Sequence, residues 1–170
     1  SDEDFEVMKL DAEILLDNGA DGIAFGCLDE EGDINIPQTR EMIDIIKSYH
    51  KTAVFHRAID CVNDIDEAMN ILITLGVDRI LQGKATRGKE MIKYLYDAYG
   101  ENIKILAGSG INAGNAKKML DYTGIKQLHS SCKDWHTDST TSRDEVNFSY
   151  HGDDYEVVSQ ELVEILVELV

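Results

Sequence analysis

Residues 74–83, TLGVDRILQG, carry the join between two different patterns. Up to Leu75 the apolar residues recur at helical spacing, and from Asp78 onward the run is short, apolar and strand-like. Gly76 stands between them, where a helix C-cap favours left-handed backbone. The same joint recurs as DNGADGIAF (17–25) and YTGIKQL (122–128). With strand starts about 23–31 residues apart, this joint is an internal repeat, and it reads as a chain of βα units.

Helical spacing covers 4–16, 38–48, 64–75, 88–99, 113–121 and 155–169, around the joints. Between these segments lie DGIAFG (21–26), TAVFHR (52–57), DRILQG (78–83), IKILAG (103–108) and KQLHSS (126–131). The strand runs are apolar on both faces, as in a parallel sheet covered by helices. Such repeats build a (β/α)₈ barrel or a doubly wound sheet. No GxGxxG follows an opening strand and no switch point is visible, so the barrel is the expected fold. A full barrel takes eight strands and about 250 residues. Here five strands and a weak sixth at VNFSY (146–150) are legible, so the barrel is expected to lack its front. Residues 1–170 are read as one α/β domain, with a polar loop at about 133–154 and a closing amphipathic helix.

The formal charge is −17, with 33 acidic residues against 16 basic ones. That field repels phosphate backbones and anionic membranes, so neither nucleic acid nor a membrane is an expected partner. A small anion in a cleft is not excluded, because local N–H groups and one Arg outweigh a distant field. No apolar run reaches the length of a membrane-spanning helix, and the opening SDEDF is acidic where a signal peptide is basic. Three widely spaced cysteines, Cys27, Cys61 and Cys132, make a poor disulfide framework and suit a reducing cytoplasm.

In a parallel barrel the site forms at the C-terminal ends of the strands. AVFHRAID (53–60) brings three ionisable groups to such an end. His56 suits a general base or metal ligand, Arg57 a carboxylate or phosphate fork, and Asp60 an orienting partner. These three are the candidate catalytic residues. Alternation lets only one of His56 and Arg57 point into the barrel, leaving the other for a salt bridge with Asp60. In LAGSGINAGNAKKML (106–120), a glycine-rich turn runs into a helix capped by Asn112 or a neighbour. Gly108, Ser109 and Gly110 are the candidate anion cradle, against a plain βα turn as the alternative. The soft donors on the rim are the three cysteines, His56 and His129, a set suited to Cu(I) or Zn. No CxxC or HxxxH spacing ties any two of them together.

These segments resemble the CutC family, proteins of copper homeostasis with a TIM-barrel fold. The resemblance runs in order through SDEDFEVMKLD, GADGIAFGCLDEEGDINI, AVFHRAID, LGVDRIL, ILAGSGINAGNAKKML and LHSS. It implies a role for His56, Arg57, Asp60, the loop Gly108–Gly110 and His129. With the soft-donor reading, the family's copper role makes Cu(I) the expected metal and His56, His129 and Cys132 the candidate ligands. The unpaired cysteines lead to the expectation of a cytoplasmic protein, and the missing opening strands to that of a homo-oligomer. The family has two further strands before this point, with a Glu-x-Cys motif and an Arg-Pro-Arg segment that are absent here. After DRIL its usual Thr-Ser-Gly is replaced by Gln82, Gly83 and Lys84. The class-different alternative is an enzyme acting on a small phosphorylated or carboxylated metabolite.

Overall fold

The computed structural model describes residues 1–83, 88–143, 145–147 and 151–169. Lys84 and the last three residues of VNFSY lie outside that set. Four strands, β1 (Gly22–Phe25), β2 (Thr52–Phe55), β3 (Arg79–Gln82) and β4 (Lys104–Ala107), form one parallel sheet in the order β1-β2-β3-β4. The order is sequential, without the reversal that defines a doubly wound sheet, so the sheet is an arc of a barrel. Helices α1 (Asp2–Asp17), α2 (Ile36–Ser48), α3 (Ile65–Leu75), α4 (Lys89–Tyr99) and α5 (Ala116–Thr123) alternate with the strands.

Local chemistry sets these boundaries. Ser1 caps α1 in a reciprocal capping box with Asp4, Asn35 caps α2 ahead of Pro37, and Asp64 accepts two N–H bonds at the start of α3. The three joints behave as their sequence predicts: Gly19, Gly76 and Gly124 all take positive φ, at 90°, 88° and 80°. Asp78 adds a second tie at its joint. Its carboxylate accepts from Ala53 N at 2.7 Å and from Lys47 Nζ at 2.5 Å, which clamps β2 to β3 at their N-terminal ends.

The core lies between the sheet and its helices. Ile23, Phe25, Ala53, Phe55, Ile80 and Ile105 are buried against Leu16, Met42, Ile46, Met69, Leu72 and Leu95. Phe25 and Phe55 meet edge to face, with centroids 5.9 Å apart. The alternate residues Ala24, Val54, Leu81 and Leu106 are exposed or half-buried. Among the described residues, helices therefore cover one face of the sheet, as in the expected barrel. The other face is the inside of the barrel arc.

Three expectations change. KQLHSS is not a full strand: Leu128 alone bridges Ala107 in parallel, with His129 N donating to Ala107 O at 2.8 Å. The stretch expected as a loop contains β5 (Lys133–Thr137), β6 (Ser142–Arg143), β7 (Val146–Asn147) and the start of β8 (Asp154–Val158). β5 pairs antiparallel with β8, and β6 with β7, so 155–158 is strand, and Val146 and Asn147, the described part of VNFSY, pair antiparallel with Ser142 and Arg143. The last helix, α6, is confined to Gln160–Glu168.

Candidate functional site

The end of β2 breaks into a single 3₁₀ turn, Arg57–Cys61, capped by His56. His56 Nδ1 accepts from Ala58 N at 3.1 Å, which leaves the proton of the neutral ring on Nε2. The imidazole lies against Gly26, where any Cβ would overlap it. Arg57 donates from Nε to Asp60 at 2.9 Å, and the second Asp60 oxygen accepts from Gly83 N at 2.9 Å. The Asp60 side chain is 4% exposed and that of Arg57 50% exposed. Both Asp60 oxygens are thus engaged inside the fold, and the carboxylate ties β2 to β3 while aiming the guanidinium outward. A Cβ at Gly83 would overlap Arg57 Nε and Asp60 Oδ2, so any other residue here would push the pair out of place.

A cleft of about 450 Å³ opens at the C-terminal ends of the strands. Arg57, Leu81, Ser109, Gly110, His129 and Cys132 all line it. His56 does not, because the 3₁₀ turn ends strand alternation and delivers Arg57 to the cleft in its place. Of the three glycine-loop amides, Gly108 N is taken by Gln82 O at 2.8 Å. The N–H groups of Ser109 and Gly110 have no acceptor among the described residues. Asn115, at the N-cap position of α5, makes no side-chain cap there and instead holds the loop, donating to Gly110 O at 2.7 Å and accepting from Asn112 N at 2.9 Å.

Ser109 and Cys132 both hold positive φ, at 62° and 44°. Non-glycine residues avoid that region unless their surroundings enforce it. Ser130 helps to do so, donating to Ile111 O at 2.7 Å and accepting from Cys132 N at 3.1 Å. Ser130 lies on the rim end of KQLHSS as its sequence position suggests, whereas no sequence signal marks the cleft residues Ile111, Leu162 and Leu166. Cys27 is part of the buried core, and that burial pushes its thiol up to about 11. Among the described residues, no three His, Cys, Asp or Glu side chains gather to hold a metal ion. The soft donors that share the cleft are His129 and Cys132.

A half-barrel with a polar cleft on its C-terminal rim is the arrangement of β/α-barrel binding proteins and enzymes. The model of the CutC family matches residues 1–134, and the chain belongs to that family. A CutC protein of Treponema denticola is 38% identical over 130 residues, covering 74% of this chain and 52% of the relative. One from Bacteroides fragilis is 36% identical over 133 residues, covering 76% and 52%. The chain thus spans about half the length of these curated relatives. The crystal structure of a candidate copper homeostasis protein CutC from Streptococcus agalactiae superposes with a TM-score of 0.70. It is 24% identical, with 76% of this chain and 64% of that one covered. A 3-keto-L-gulonate-6-phosphate decarboxylase from Vibrio cholerae matches at 0.56 with 9% identity, covering 95% of this chain and 65% of that one. Both likenesses show the fold. Among the described residues, no helix is long and apolar enough to cross a membrane.

Proposed function

We propose that this chain serves copper homeostasis and takes Cu(I) as cargo at the cleft rim. The observation that carries the reading is that two soft donors, Cys132 and His129, line one cleft. Thiolate and imidazole favour Cu(I) over hard cations, and two such donors satisfy that ion without a closed third-ligand site. The name of the Streptococcus agalactiae neighbour points the same way. Free thiols at Cys27, Cys61 and Cys132 suit a reducing cytoplasm. Self-association belongs to the same reading, since apolar residues of α1 stay exposed. Titration under reducing conditions against a chromogenic Cu(I) chelator tests it. Cys132→Ser and His129→Ala should each weaken copper by roughly tenfold or more. Unchanged affinity in both would end the reading.

A second reading is favoured by the free Ser109 and Gly110 N–H groups on the same cleft as Arg57. They suit the phosphate or carboxylate of a small metabolite. Asp60 then acts by orienting Arg57, and His129 is the imidazole available for proton transfer. Soaking crystals with phosphate should leave an ion against those two amides. An ion elsewhere, or none, would count against it.

A further inference from the structure

The family match ends at residue 134, yet α6, beyond it, returns to the cleft. β5 leaves from Cys132, β8 runs back beside it over five residue pairs, and Lys133 holds Glu156 across the ribbon at 2.5 Å. Ser159 N then donates to Cys132 O at 2.9 Å, which starts α6 directly at the cleft rim. Ser159 caps that helix. No α6 residue is fully buried, but Leu162 and Leu166, one turn apart on a single face, line the cleft. Leu166 also packs against the core. With Leu81 and Ile111 they give the cleft an apolar wall alongside its anion-binding groups.

We infer that α6, through Leu162 and Leu166, completes a two-part site, whose ligand is a small phosphate or carboxylate carrying an apolar body of a few carbons. The inference rests on the second reading above. Ser109, Gly110 and Arg57 take the anionic head, and Leu162 and Leu166 take the body. About 450 Å³ suits such a molecule, since small-ligand sites occupy roughly 300–1,000 Å³. The wall comes from outside the family match, so it sets a preference that belongs to this chain and not to the family's shared segment.

The test is calorimetric titration of the whole chain with methyl, ethyl, propyl and butyl phosphates, and with acetate through pentanoate. Affinity should rise about two- to fourfold per methylene in the series whose head fits, as partial burial of each CH₂ requires. The two series together tell phosphate from carboxylate. Leu162→Ala should flatten the rise. Leu162→Trp, which fills the space, should cut affinity for the longest member most. Methyl phosphate or acetate binding with no gain on lengthening would overturn the two-part site while leaving the anion reading intact. An undiminished gain in both Leu162 variants would remove α6 from the site. No binding by any member would overturn both readings.

Discussion

Asp60 is buried, and both its oxygens are used, one by Arg57 and one by Gly83 N. A buried carboxylate left with half its partners is costly, so small changes around it have large effects. Gly83→Ala should push the pair apart and cost roughly 1–3 kcal/mol, read from the urea midpoint. The same variant should weaken anion binding, because Arg57 loses its aim. A Gly83→Ala protein with unaltered stability and affinity would show that the Asp60 clamp is not needed. The cysteines differ as sharply. Cys27 is buried with its thiol raised to about 11, while Cys61 is exposed. Alkylation at pH 8 followed by mass spectrometry should therefore label Cys61 first, Cys132 more slowly and Cys27 last. Prompt labelling of Cys27 would contradict the packing around it.

The elements were legible where their signals are local. Gly76 and Asp78 announce a joint because the C-cap and the strand clamp each need one residue type. Gly76→Ala forces a Cβ into left-handed backbone and should cost about 1 kcal/mol. Asp78→Ala removes the acceptor of Ala53 N and should cost about 1–3 kcal/mol by urea unfolding. What stayed illegible depends on distant partners. β5 is exposed along its whole length, so no alternation marks it, and only its pairing with β8 makes it a strand. KQLHSS reads as a strand but has just one bridged residue, because pairing needs neighbours that its own pattern does not reveal. The rim positions of Arg57, Ser109, Gly110, His129 and Cys132 were legible because each lies at or just beyond a strand end. That of His56 was not, since a 3₁₀ turn overrides alternation there, and Leu162 and Leu166 reach the cleft only by folding back. Between α3 and α4, Tyr94 and Tyr99 each donate to Asp66 at 2.6 Å, which holds its carboxyl below the usual range. A lowered folded value means stability that is present above about pH 4 and lost as pH falls through it. The gap in urea midpoint between the natural chain and Tyr99→Phe should thus be full at pH 6 and shrink toward pH 3.

Among the described residues, the sheet has no strand beyond its β1 edge, and helices do not cover its inner face. Arg79, on that inner face by alternation with Leu81, has a buried Nε without a partner among the described residues. Val7, Leu10 and Ile14 also leave an apolar stripe exposed on α1. Edges and patches of this kind bind other surfaces. The charge of −17 opposes assembly, so association should strengthen as salt shortens the screening length from about 30 Å at 0.01 M to about 8 Å at 0.15 M. Light scattering across that range should show growing mass, and a constant monomer would show that the exposed face is tolerated. If the rim cleft takes copper through Cys132 and His129, native mass spectrometry of the natural chain purified without chelator should show a copper adduct that is lost from a Cys132→Ser, His129→Ala double variant. An adduct that survives unchanged in the variant would place the metal elsewhere.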